Sequence, residues 1–240
     1  MKNQVLYGEL AKYYDLIYSF KDYEKEATRI KTLVSKYKKS EGKDLLDVAC
    51  GTGRHSLYLK EEFSCVGVDV SKDMLKLAMK NVNGVVFEQA DMTELNLGKH
   101  FDVITCLFSS IGYVKTYTKL TNTIRGFARH LKTGGVVLIE PWLTKSNFKE
   151  GYPSMETYNG EDIKIARLNV SRLRGNLSVL DMNYLVAERG KSVTHFVDRH
   201  ELGLLEIDRT LATMKKAGFQ AKFLKKGLTT NRGLLVGVKR

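Results

Sequence analysis

The chain predicts an α/β fold: a seven-stranded, mostly parallel sheet with helices on both faces, and a small antiparallel β insertion after the fifth strand. Three observations lead there. Short apolar runs alternate with amphipathic helical stretches up to Trp142, strand-like alternation replaces that pattern over 143–205, and helix followed by strands returns over 206–240. The expected organisation is therefore an N-terminal helical segment with a ligand-binding core (1–142), an antiparallel β insertion that roofs it (143–205), and a C-terminal segment completing the sheet (206–240).

Asp22 offers an N-cap for KDYEKEATRIKTLVSKYKK, where Ala27, Ile30, Leu33, Val34 and Tyr37 recur at helical spacing. DLLDVAC then reads as a buried strand that turns through GTG into a helix at RHSLYLKEEF. SCVGVDV is a second strand, Ser71 caps a helix through DMLKLAMKNV, and GVVFEQA and FDVITCLF are the third and fourth strands. TYTKLTNTIRGFARHLK reads as a helix closed by Gly134 and Gly135 ahead of the strand VVLIEPW. Beyond Pro141, IKIARLNVSRL, LSVLDMNYLVA and SVTHFVDRHELGLL alternate like strands, with turns at Arg174-Gly175-Asn176 and Arg189-Gly190. EIDRTLATMKKAG is a helix, and FQAKFLKK and GLLVGVKR supply the last two strands.

With 240 residues, 43% of them hydrophobic, one full α/β core and a small added layer can be buried. No apolar run approaches the roughly 18 residues of a membrane span, and MKNQVLYGELAKYYD lacks the order of a signal peptide, so a soluble, cytoplasmic protein with no membrane contact is expected. Cys50, Cys65 and Cys106 fall in apolar stretches with no zinc spacing, which predicts buried thiols and no metal site. The formal charge of +12 fits nucleic acid, a phosphorylated small molecule or solubility alone.

The chemistry-bearing pattern is LLDVACGTGRH, in which Gly51 and Gly53 follow a buried strand and open a helix, so that a ligand can approach the backbone. A dinucleotide fingerprint wants glycine or alanine three residues after the second glycine, and that position is Ser56. Asp47 would repel a pyrophosphate and favour a cationic group, so the loop suits a zwitterionic ligand without phosphate. Asp69 ends the second strand, about twenty residues on, where a carboxylate can accept from both hydroxyls of a ribose. Asp91 follows the third strand and can accept from an adenine amino group, with Met74 and Met92 offering polarizable surface.

In these residues, from Asp47 through Leu107, the chain resembles the class I S-adenosylmethionine-dependent methyltransferases, whose core is a Rossmann-like sheet. The resemblance implies S-adenosyl-L-methionine as cofactor and S-adenosyl-L-homocysteine as product. It also implies a pocket from Asp47, Ala49, Gly51, Gly53, Asp69, Val70, Met74, Asp91 and Met92, with Leu107 to Ser109 flanking the sulfonium. YYDLIY, FSSIGYVKT, GGVVLIEPWLT, THFVDRHELGLL and NRGLLVGV are similar to the sugar-nucleotide N,N-dimethyltransferases of deoxyaminosugar pathways such as desosamine and mycaminose. That resemblance implies a small-molecule acceptor, with N-methylation of an amine on a nucleotide-linked sugar.

Methyl transfer is an in-line displacement that needs an aligned neutral amine and little water, so no triad is demanded. Tyr14 and Tyr18 either fold over the cofactor or form a packed surface pair. Trp142 either stacks on the acceptor or fills the core. His195 and His200, five residues apart, should face opposite sides of one strand, and His195 is carried as a catalytic candidate with Tyr14. Arg232 matches the arginine of the family's RGL segment and either pairs with an acceptor phosphate or is a solvated turn cation; Arg167, Arg172 and Arg199 add charge to the roof. Nucleic acid is disfavoured, because LFSSIGY stands where NPPY or DPPY would follow the fourth strand and no Pro-Cys nucleophile is present. The insertion also offers a surface for a homodimer.

Overall fold

The computed structural model describes residues 10–228 and 232–240; the N-terminal nine residues and Asn231 of NRGLLVGV lie outside the described residues. A short helix α1 (Tyr14–Ile17) precedes α2 (Tyr23–Tyr37), where Asp22 caps the start by accepting from the Lys25 N–H at 2.9 Å. Ala27, Ile30, Leu33 and Val34 of α2 are buried against the sheet, as their spacing requires.

The sheet has the order β10-β11-β5-β4-β1-β2-β3. From β1 (Asp44–Val48) the chain steps outward through α3 (Arg54–Leu59), β2 (Ser64–Asp69), α4 (Lys72–Asn81) and β3 (Val86–Gln89). It then returns to place β4 (Phe101–Cys106) on the other side of β1. The β1/β4 boundary is thus a topological switch point, and ligands of such sheets bind beyond the carboxyl ends of strands there. Following α5 (Tyr117–His130) come β5 (Leu131–Ile139) and, after the insertion, α6 (Ile207–Lys216), β10 (Phe219–Leu224) and β11 (Leu234–Lys239). β11 runs antiparallel to both of its neighbours. The central strands are buried on both faces, which is why they read as continuous apolar runs.

One boundary differs from expectation. Helix α5 stops at His130, and Gly134 and Gly135 lie inside β5 instead of capping the helix. Gly134 has φ +78°, and its carbonyl accepts from the N–H groups of Lys39 and Ser40 at 2.8 and 3.2 Å. A side chain there would meet that backbone at 3.0 Å, so the glycine serves a tertiary approach.

The insertion is a four-stranded antiparallel sheet of β6 (Pro153–Asn159), β7 (Ile163–Arg174), β8 (Leu177–Glu188) and β9 (Thr194–Gly203), in that order. Gly175 and Gly190 sit at positive φ in the expected turns. The patterning had shown β7, β8 and β9; β6 begins with proline and is an exposed edge strand without a clear apolar face. The inner face, with Ile165, Tyr184, Val186 and Phe196, packs on Tyr13, Tyr14, Ile17 and Met74, which joins the roof to the N-terminal segment. Among the described residues, no helix is long and apolar enough to cross a membrane.

Candidate active site

Two cavities open at the carboxyl ends of the parallel strands and share Ala49. The larger, about 520 Å³, is lined by Asp69, Val70, Ala90, Asp91, Met92 and Thr93 from the ends of β2 and β3. Tyr113, Val114, Lys115 and Lys119 face them, with Arg199 and Glu201 of β9 at the rim. The smaller, about 50 Å³, lies between Asp47, Gly51 and Thr52 on one side and Leu107, Phe108 and Ser110 on the other, under Tyr14, Tyr23 and Arg54.

The loop from β1 to α3 builds the shared wall. Ala49, Gly51 and Gly53 all have positive φ, at 56°, 57° and 76°. The two glycines do different work: a Cβ on Gly51 would meet nothing within 4 Å, whereas one on Gly53 would meet Phe87 at 3.0 Å and Val82 at 3.2 Å. Gly51 leaves open space beside the cavity, and Gly53 permits close packing on α4 and β3. The Gly51 N–H donates to Asp69 Oδ2 at 3.0 Å, and the Ser71 N–H donates to Oδ1 at 2.8 Å. Burial pushes the Asp69 carboxyl above its usual range, opposed by these backbone donors. Asp47 is fully enclosed and accepts from Ser56 Oγ at 2.9 Å and Thr105 Oγ1 at 2.8 Å; burial raises its pKa too.

After β4 the chain makes a second strained turn, with Phe108 and Ser109 both left-handed at φ 50° and 62°. Glu140, at the end of β5, holds it by accepting the Phe108 N–H at 2.7 Å, and Ser109 Oγ donates to the Pro141 carbonyl at 2.7 Å. Arg232 donates to Ser109 Oγ at 3.0 Å and lies 4.7 Å from the Trp142 ring. Burial holds this guanidinium below the usual arginine value, with Glu140 opposing the shift.

The structure brings Tyr14, Asp47, Ala49, Gly51, Asp69, Val70, Asp91, Met92 and Leu107 to the walls of these cavities. Asp91 meanwhile caps its own turn by accepting from the Thr93 N–H at 2.8 Å. Tyr18 lies just behind, 4.7 Å from Tyr14 and 5.0 Å from Phe108, with its hydroxyl accepting from Arg167 at 2.7 Å. Met74 is not in the wall but buried among Tyr13, Tyr14 and Ile17, because α4 turns that face under the N-terminal segment. His195 is on the outward face of β9, exposed, with Nε2 3.1 Å from Asn183 Oδ1, and lines neither cavity; strand alternation turns His200 inward instead. Arg172 and Arg199 both pair with Asp181, Arg172 exposed and Arg199 at the rim of the larger cavity, while Arg167 is the buried arginine of the roof.

Several wall residues carried no sequence signal of their own. Arg54 follows the glycine loop, stacks 5.5 Å from the Tyr23 ring, and has a buried Nε without a hydrogen-bond partner among the described residues. Thr52 donates to Asp15 Oδ1 at 2.7 Å, tying α1 to the loop. An unsatisfied cation, carboxylates at two strand ends and open space at Gly51 fit a zwitterionic amino acid joined to a nucleoside.

Residues 45–135 match the model of a family described as "Methyltransferase domain". Over 231 residues the chain is 38% identical to dTDP-3-amino-3,4,6-trideoxy-alpha-D-glucopyranose N,N-dimethyltransferase of Streptomyces venezuelae, covering 95% of this chain and 97% of that protein. It is 36% identical to dTDP-4-amino-2,3,4,6-tetradeoxy-D-glucose N,N-dimethyltransferase of Saccharopolyspora spinosa, covering 95% and 92%. The crystal structure of Streptomyces venezuelae DesVI superposes with a TM-score of 0.91 at 37% identity, over 97% of this chain and 99% of that one. S-adenosylmethionine-bound CalS10, an amino pentose methyltransferase from Micromonospora echinaspora, superposes at 0.83 with 27% identity, over 92% of each chain. The similarity spans the parallel core and the roof alike, and the chain belongs to the sugar-nucleotide N,N-dimethyltransferases, a family of class I S-adenosylmethionine-dependent enzymes.

Proposed function

We propose that this methyltransferase acts on a primary amine of a nucleotide-linked deoxysugar and carries it to the dimethylamine. The observation that carries this reading is the extent of the similarity, which covers the antiparallel roof as well as the cofactor core and joins the chain to relatives named for dTDP-aminosugars. In it, the 1–142 segment holds the cofactor, 143–205 closes over the acceptor, and 206–240 completes the sheet and delivers Arg232.

S-adenosylmethionine supplies a methyl group already activated by its sulfonium. The protein's work is to bind, align and dry the site. Asp69 accepts from the ribose hydroxyls, Asp91 and Met92 meet the adenine, and Val70 borders it. Asp47 faces the ammonium and Arg54 the carboxylate of the amino-acid end, across Ala49, Gly51 and the Gly53 turn. Leu107 and the strained Phe108–Ser109 turn border the sulfonium, while Tyr14 and Tyr18 cover it with aromatic surface that excludes water.

Arg232 is the proposed acceptor clamp. Among the described residues no carboxylate lies within ion-pair distance of it, and Ser109 occupies one donor at 3.0 Å, so the rest of the guanidinium is available to a diphosphate. Arg232→Ala should raise the acceptor KM about tenfold or more, a charge-assisted pair being worth roughly 1.5–3 kcal/mol, and leave cofactor affinity within about twofold. Steady-state kinetics on a dTDP-aminosugar tests this. An unchanged KM would remove the clamp, and salt-sensitive methylation of RNA or DNA without sugar turnover would remove the acceptor class.

The outward face of the roof supports a homodimer. Met155, Leu168 and Val197 are exposed in one cross-strand row of β6, β7 and β9, with Leu185 beside it, an apolar patch that a second copy would cover.

A further inference from the structure

Two arginines converge on the Phe108–Ser109 turn, one from the core and one from the roof. Arg232 donates to Ser109 Oγ at 3.0 Å. Arg167 donates through Nη1 to the Tyr18 hydroxyl at 2.7 Å, and the Tyr18 ring meets Phe108 at right angles, 5.0 Å between centroids. Arg167 is only 9% exposed on β7, with Tyr184 opposite it on β8. Among the described residues no carboxylate lies within ion-pair distance of either guanidinium. Asp181 and Glu201 of the roof are held by other cations, Asp181 by Arg172 and Arg199, and Glu201 by Lys115 and Arg174.

A guanidinium keeps its proton and has more N–H donors than one or two hydroxyls can take. Burying such a charge is costly unless an anion completes the arrangement. The turn that borders the transfer site is therefore flanked by two cations with donors to spare, matched to an anion that can span both.

The two positions differ in what else they touch. Arg232 lines a separate cavity of about 390 Å³ with Trp142, Thr144, Asn147 and Phe223, which shares no wall residue with the two cofactor cavities. Arg167 instead contacts Tyr18, which packs 4.7 Å from Tyr14 over the transfer site. In a sugar nucleotide whose amine sits at that site, the sugar-side phosphate lies nearer to the reacting nitrogen than the nucleoside-side phosphate does.

We propose that Arg167 is a second phosphate-binding residue, which takes the sugar-side phosphate of the acceptor while Arg232 takes the nucleoside-side phosphate and the nucleoside occupies the cavity beside Trp142. Tyr18 holds the Arg167 fork in place before the acceptor arrives. The roof then supplies charge as well as cover, and Arg167 makes the site selective for a diphosphate over a monophosphate. The inference rests on the nucleotide-linked acceptor proposed above.

Calorimetry of dTDP and dTMP binding to the full chain saturated with S-adenosylhomocysteine tests it. The wild-type protein should bind dTDP about tenfold or more tighter than dTMP, a charge-assisted contact being worth at least that factor. Arg167→Met should raise the dTDP Kd about tenfold, leaving the dTMP and S-adenosylhomocysteine values within about twofold, whereas Arg232→Ala should weaken both nucleotides. If Arg167→Met fails to fold, Arg167→Lys decides by the same comparison, since it keeps the charge and loses the fork. Loss of dTDP and dTMP affinity in equal measure, loss of S-adenosylhomocysteine affinity alone, or no change in either nucleotide would make Arg167 a structural tie to Tyr18 and overturn the assignment. Failure of the acceptor reading would appear in the wild type itself, as S-adenosylhomocysteine binding with no affinity for either nucleotide.

Discussion

Replacing Asp69 with alanine should weaken S-adenosylmethionine and S-adenosylhomocysteine alike. The carboxylate loses its ribose partners, and hydrogen bonds to a charged group are worth about 1.5–3 kcal/mol, or roughly a 10- to 150-fold rise in Kd. The same side chain orders the loop, since Gly51 N–H and Ser71 N–H both end on it at 3.0 and 2.8 Å. Losing those acceptors costs about 0.5–1.5 kcal/mol each, partly offset because a desolvated charge is removed. The free protein should therefore melt only a few degrees lower, at about 2–4 °C per kcal/mol for a chain of this size. Titration calorimetry with both ligands, alongside thermal unfolding of the free variant, separates the two effects. A Kd within twofold of wild type would refute the assignment of Asp69, and loss of all folded signal would refute the modest stability effect.

Gly51→Ala should cost about 1 kcal/mol of stability from its positive φ yet obstruct cofactor binding, while Gly53→Ala should destabilise more through Phe87 and Val82; comparing melting temperature with Kd for each checks the division of labour. Cofactor affinity should fall with acid at a higher pH than an unperturbed aspartate would allow, because burial raises the Asp69 pKa above 3.8 and binding needs the ionised form. By the same sign, the contribution of Asp69 to the stability of the free protein grows as pH falls from its folded-state pKa towards 3.8. Calorimetry and thermal unfolding across pH would contradict this if affinity rose on acidification. Leu168→Glu with Val197→Glu should convert a dimer to monomer in sedimentation velocity without loss of cofactor binding; an unchanged sedimentation coefficient would remove the roof as the interface.

The parallel core was legible because its strands are buried on both faces and its helices keep one apolar stripe, so Leu45, Val103 and Ile104, or Ala27, Ile30 and Val34, report burial by spacing alone. The strand-end acids Asp47, Asp69 and Asp91 were legible for a related reason: strand ends are marked where an apolar run stops. Residues whose role depends on a distant segment were not. Gly134 serves the Lys39–Ser40 backbone and looks locally like a helix stop. Met74 sits at the expected strand-to-helix junction, but the N-terminal segment covers it. Period-two patterning fixed His195 and His200 on opposite faces without saying which face meets the core, and only the packed roof turns His200 inward. Arg54 and Glu140 matter through burial against partners remote in sequence, which spacing does not record.

The central claim is methyl transfer to a sugar-borne amine, and mass spectrometry of a reaction containing the full chain, S-adenosylmethionine and a dTDP-linked aminosugar tests it most directly. The account predicts two successive additions of one methyl group to the sugar, with one S-adenosylhomocysteine formed for each and no transfer to the corresponding hydroxyl sugar. Tight cofactor binding with no methylated aminosugar, under conditions where a hydroxyl compound or nucleic acid gains the methyl group, would contradict it.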